Sequence, residues 1–179
     1  MTLRLSLAVC LCLLTTALRA DEAADRVEIV RRAQEMSTAA FKGDIMAVVK
    51  FTHPSVLKIS GGEELIKKSI EGVAAQMKRL EIEFVSMDAQ PPEKLSSAGG
   101  KTFAIVKTKV VMQIPGKTRI TENGSMLAVR ETRDGAWTFV RVNPQLAGNR
   151  ALLKALLPDV PDEIVLEAPG KPVTEPLGP

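Results

Sequence analysis

Between Leu80 and Ile82 the hydrophobic period of this chain changes from about 3.6 residues to two, and that switch constrains the fold more than any other feature. Upstream, Val27, Ile29, Val30, Ala33, Met36, Ala40 and Phe41 recur at helical spacing, with Arg26, Glu28, Arg31, Arg32 and Glu35 between them. That pattern predicts an amphipathic helix over residues 25–42. Gly43 and Asp44 then supply a stop and a new N-cap, and Ile45, Val48, Val49 and Phe51 predict a short second helix ending before His53-Pro54. Residues 56–59 read as a short extended piece. After Gly61-Gly62 a third helix is predicted over residues 63–80, with Leu65, Ile66, Ile70, Val73, Met77 and Leu80 on one stripe.

Downstream the elements are strands. Ile82, Phe84 and Ser86 alternate with Glu83, Val85 and Met87, and residues 90–100, with Pro91-Pro92 and Gly99-Gly100, read as a loop. Residues 102–114 are rich in Val, Ile and Thr and predict a second strand. Pro115-Gly116 turns the chain into a third over 117–132, where Asn123-Gly124 marks either a bulge or bend, or a reversal. Arg133-Asp134-Gly135 leads into a last strand over 136–142. Helices first and a strand meander afterwards predict an α+β fold, with helices on one side of an antiparallel sheet.

The ends add two appendages. Residues 1–20 read as a secretory leader: Arg4, an apolar run from Leu5 to Leu14, then small Ala20 before Asp21, with cleavage expected after Ala20. Cys10 and Cys12 lie within it, and neither follows a small residue as a lipid-anchored cysteine would. Its removal takes Arg4 and Arg19 and no acid, which lowers the net charge from +3 to +1. A near-neutral body without cysteine gives no electrostatic case for nucleic acid and no disulfide, and no membrane insertion is expected after cleavage. At the other end, residues 145–157 suggest a short helix, and residues 158–179 hold six prolines and read as an extended tail. Ile164, Val165 and Leu166 are the tail's apolar cluster. They either pin it to the domain or form a strap over a partner or pocket mouth. The expected division is therefore a leader over 1–20, an α+β domain over 21–144 and a helix with a Pro-rich tail over 145–179.

Three segments together resemble the nuclear transport factor 2-like superfamily, which includes ketosteroid isomerases and SnoaL-type cyclases. They are Phe41-Lys42-Gly43-Asp44 closing the first long helix, Phe51-Thr52-His53-Pro54 followed by Gly61-Gly62, and Asp134-Gly135-Ala136-Trp137-Thr138-Phe139-Val140. In this order they cover residues 25–142, and the chain is most similar to secreted bacterial members. The resemblance implies a cone-like barrel in which a strongly curved antiparallel sheet wraps the N-terminal helices around a pocket. It also implies pairing of two copies through the outer sheet face. It does not carry the chemistry of the catalytic members. Ketosteroid isomerase needs a Tyr with a protonated Asp and the dehydratase-like members a Tyr with a His, whereas this chain has no Tyr and one His.

Candidate site residues follow from what remains. His53 is the one side chain whose ordinary titration lies near neutrality. It is a candidate general base with Asp44 to fix its tautomer, or, more simply, a support for the turn at Pro54. On the last strand Trp137, Phe139 and Arg141 share a face. If that face lines the pocket, Arg141 with Arg130 or Glu122 engages a polar ligand group and Trp137 supplies an apolar wall. The plainer alternative puts Trp137 and Phe139 in the core and leaves the arginines solvated or paired with Glu122 and Glu131. Gly61-Gly62 before Glu63-Glu64 is not a phosphate cradle, because those acids already complement the helix dipole. No spacing of His, Cys and acids resembles a metal site, and no cofactor is called for. The functional expectation is an exported periplasmic or secreted domain that binds a small molecule or peptide and catalyses nothing. The alternatives are an isomerase, dehydratase or cyclase using His53 as base, and a homodimeric interaction protein whose tail wraps its partner.

Overall fold

Helix α1 runs from Leu3 to Lys42 in the computed structural model, which describes residues 3–177, with side chains from Asp21 onward. The side chains of residues 1–20, including Cys10 and Cys12, lie outside those described. Among the described residues no helix is long and apolar enough to cross a membrane. Ile29 and Ala33, one turn apart, are fully buried while Val27 is 70% exposed, so α1 packs with one face. Gly43, at φ 71°, lets the helix end, and Asp44 caps α2 (Ile45–Phe51) by accepting a hydrogen bond from the Ala47 amide at 3.1 Å.

The stretch expected to be extended over 56–59 is helical instead, as α3 (Pro54–Ile59). Pro54 opens the helix with its φ already suited and no amide to satisfy, and His53 caps it. Helix α4 (Glu63–Arg79) follows, with Glu63 and Glu64 at its N-terminus, Lys78 and Arg79 at its C-terminus and no buried residue along its length. Four helices thus precede the sheet.

The sheet has six antiparallel strands and is not closed: β1 (Glu83–Ala89), β2 (Leu95–Ala98), β3 (Lys101–Ile114), β4 (Thr118–Arg130), β5 (Thr138–Arg141) and β6 (Val173–Pro176). The α+β class expected from the sequence is therefore observed. β3 and β4 form its spine, paired from Thr102 with Arg130 to Ile114 with Thr118 without a register shift, so Asn123-Gly124 is neither a bulge nor a reversal. β1 and β2 pair along one edge of β3, and β5 and β6 along the other edge of β4. The register shift sits in β1, between Phe84 and Ser86. It brings Met87, which simple alternation sets opposite Phe84, onto Phe84's face, because one extra residue reverses every later side chain. β2, inside the stretch expected to be a loop, is a four-residue hairpin arm turned through Gly99 and Gly100, both at positive φ.

Each sheet face has its own core. On the α1 side Ala104, Val106, Ala128, Trp137 and Phe139 pack under Ile29 and Ala33. On the other side Phe103, Leu127, Val129 and Val140 are covered by Leu153, Leu156, Leu157, Val160, Ile164 and Leu166. These come from α5 (Arg150–Leu156) and the tail. α5 is shorter than the expected helix over 145–157, because Gly148 at φ 73° precedes its cap, Asn149. The Arg150 guanidinium donates to the carbonyls of Val160, Pro161 and Ile164, fixing the turn that follows α5. Ile164 and Leu166 are buried while Val165 points out, and the tail then pairs with β4 as β6.

Candidate functional site

The helix-facing side of β3 and β4 has two ends with different covers. Near Arg130 it is roofed by α1 and filled. Toward Glu122, α1 gives way to α4, and between α4, the C-terminal turns of α1 and the sheet lies a cavity. Its inner lobe, about 400 Å³, is floored by Thr108, Val110, Met112, Glu122, Gly124 and Met126. An outer lobe of about 870 Å³ extends toward Ser69, Ile70, Glu81 and Glu83. Both lobes share Phe41, Val73, Met77, Ile82 and Arg141. Phe41 of α1 stacks on Phe84 of β1, ring centroids 3.5 Å apart, and so holds the end of α1 against the sheet where the cavity opens.

Five of the chain's seven methionines, Met36, Met77, Met87, Met112 and Met126, line the inner lobe. Strand parity explains three of them. Met112 and Met126 lie two or more residues along the same face as the filled core, and Met87 joins them only through the β1 register shift. The α4 stripe of Ile70, Val73 and Met77 faces this space rather than a close-packed sheet, which is why α4 buries nothing. Gly124 sits in mid-strand with ordinary φ, and a β-carbon placed there would meet only the Thr108 hydroxyl oxygen, at 3.5 Å. Its missing side chain is part of the cavity's volume.

Within the inner lobe the charged pair is Glu122 and Arg141, whereas the outer lobe adds Lys78, Glu81 and Glu83. Glu122 on β4 and Arg141 on β5 both point to the helix side, with Oε1 and Nη2 3.6 Å apart; the Glu122 side chain is 28% exposed and the Arg141 side chain 76%. Alternation along the last strand gave Arg141 its face and Glu122 was one of its expected partners; the structure brings the two together.

The other candidates lie elsewhere. Trp137 is 1% exposed and belongs to the core under α1, so it is not a wall of the cavity. Arg130 stacks on its ring at 4.7 Å and forms a two-pronged ion pair with Asp25 of α1, reaching its second oxygen at 2.8 Å. The Trp137 indole N–H is buried without a hydrogen-bond partner. Asp44 caps α2. His53 is 2% exposed and lines neither lobe. Its amide donates to the Phe139 carbonyl at 3.0 Å, which covers the free edge of β5. Its ring Nδ1 accepts from the Ser55 amide at 3.2 Å, so the ring proton sits on Nε2 and is donated to Glu131 at 2.8 Å.

Glu131 in turn meets Lys101 at 2.9 Å, and Lys101 meets Asp159 of the tail at 3.2 Å. Burial acts to raise the Glu131 carboxyl, but the hydrogen bonds from Lys101 and His53 and the Lys101 charge outweigh it and hold it below the usual glutamate value. The Lys101 ammonium is held above its usual value, chiefly by its hydrogen bond to Glu131 against a smaller burial effect. This chain of charges ties helix, sheet and tail together.

Sequence reasoning missed the methionines as a set, since Met36 and Met77 read as core stripes and the strand methionines carried no polar label. Their abundance beside a 3% aromatic content was the available clue. Among the described residues no group of three or more His, Cys, Asp or Glu is placed to hold a metal ion. Comparison with protein-family models, curated proteins and solved structures gives no match. The likeness to the nuclear transport factor 2-like superfamily therefore rests on the order of elements and the quoted segments alone.

Proposed function

We propose that this chain is an exported, non-catalytic binding domain of the nuclear transport factor 2-like kind, with its sheet curved into a cone-like wall and a small molecule or peptide held in the cavity. One observation carries the reading: the helix-facing side of β3 and β4 is close-packed at one end and open at the other, where Gly124 leaves room. Lobes of about 400 and 870 Å³ fall in the range of small-molecule sites. The inner lobe's largely apolar lining, with Glu122 and Arg141 as its charged groups, suits binding more than bond chemistry. Export rests on the leader-like residues 1–20.

The alternative of an enzyme with His53 as base has less support, because both ring nitrogens are already engaged away from the cavity. Homodimerisation across the outer sheet face also has less to draw on. Part of that face is covered by α5 and the tail, and the rest carries Lys107, Lys109, Asn123 and Arg119 beside Val111 and Thr121.

The test is fluorescence titration with Nile red, a neutral apolar dye. The protein is expected to bind it, and Gly124→Phe, which fills the inner lobe from a position that tolerates a β-carbon, to lose that binding while keeping its melting temperature within about 3 °C. Undiminished dye binding by a folded Gly124→Phe variant would remove the cavity as the site.

A further inference from the structure

We infer that the cavity's ligand is a neutral amphiphile: a flexible aliphatic body among the methionines and a head that both donates and accepts hydrogen bonds, an amide or a hydroxyl, set between Glu122 and Arg141. The inference rests on the binding reading above and adds the ligand's chemistry to it.

The body follows from the lining. Rigid planar ligands are commonly held by aromatic walls that stack on them, whereas here one aromatic side chain, Phe41, lines the inner lobe and its ring is already stacked on Phe84. Methionine is unbranched, polarisable and free to adjust three torsions, so a methionine lining moulds to a chain without a fixed shape. Met36 and Met77 descend from the helices while Met87, Met112 and Met126 rise from the sheet, so the thioethers meet such a chain from both sides.

The head follows from charge. Glu122 and Arg141 are the charged residues lining the inner lobe, and they cancel. At 3.6 Å they are apart by more than a direct hydrogen bond, and each keeps capacity for another partner. A carboxylate drawn to Arg141 meets the Glu122 carboxylate beside it, and an ammonium drawn to Glu122 meets the guanidinium. A head with one N–H or O–H for Glu122 and one oxygen for Arg141 satisfies both without repulsion, which is discrimination by the wrong-charge penalty as much as by attraction.

Displacement of bound Nile red by three ligands with the same ten-carbon chain separates the possibilities: decanamide, decanoate and decyltrimethylammonium at pH 7.5. Decanamide is expected to displace the dye at about tenfold lower concentration than either ion. Glu122→Gln is expected to move the preference to decanoate, and Arg141→Gln to decyltrimethylammonium, each by about tenfold. Carbon-13 methyl spectra of the methionines give the location. The five cavity methyls are expected to shift with decanamide, while Met46, 61% exposed on α2 and outside both lobes, stays still. Equal displacement by all three ligands, a wild-type preference for decanoate, or shifts confined to Met46 would each overturn the inference. Dye binding that none of the three displaces would overturn the amphiphile and leave the cavity a binding site, whereas failure to bind the dye at all would count against the binding reading itself.

Discussion

The two ends of the helix-facing sheet surface are built on the same strands in the same register, yet one is solid and the other hollow. At the solid end Ala104 and Ala128 are small and directly paired, and they let α1 approach closely enough for Ile29 and Ala33 to be fully buried. At the open end the paired residues are Thr108 with Gly124 and Val110 with Glu122, under a helix with no buried residue. Strand alternation decides which side chains face the helices. It does not decide whether a helix comes down to meet them, which depends on the helix bringing a complementary face to the right height.

Truncations at the two ends should differ most in their cost to stability. Phe139→Ala, at the solid end, should destabilise by about 3–5 kcal/mol in urea denaturation, since a fully buried ring is replaced by a void that the packed alanines cannot fill. A loss under about 1 kcal/mol would mean that this end is as loose as the other. Acid exposes a second difference. Glu131 titrates below the usual glutamate value of 4.5 in the folded chain, so its contribution is present above that value and is lost as pH falls through the lowered one. Melting temperature should therefore drop more steeply below pH 4.5 in the wild type than in Glu131→Gln, which starts lower and has less to lose. Identical acid limbs would dissociate the His53 and Lys101 network from stability. The smallest effect belongs to the open end: Val73→Ala, 56% exposed on α4, should change stability by less than about 0.5 kcal/mol while weakening Nile red binding. A large stability loss there would show α4 packed down and the cavity closed.

Much of this was legible along the chain, but unevenly. The caps at Gly43-Asp44, the α4 boundaries and the two long strands follow from local rules that neighbours along the sequence suffice to state. Arg141 is placed by strand parity, and its pairing with Glu122 follows because β4 keeps its register through Asn123-Gly124. Trp137 lies in the core under α1, as the plainer of its two expected roles had it, and parity alone could not choose between them because it carries no information about position along a strand's cover. Asp44, the carboxylate expected to fix the His53 tautomer, caps α2 instead, and the partner of His53 is Glu131, brought beside it by the pairing of the Thr52–His53 segment with Phe139. Met87 was misplaced by one extra residue in β1.

The sequence by itself determined the class of the fold, the order of its long helices and strands, and which residues share a face where a strand has no bulge, because these are set by period and by short-range caps and turns. Only the tertiary structure decided that α5 and the tail cover the outer face, that a methionine-lined cavity lies beside a filled core, and that His53 serves the framework. Those outcomes depend on which surfaces meet across more than twelve residues of chain, and on how near a helix can approach. Both are fixed by the volumes of side chains that are neighbours in space alone.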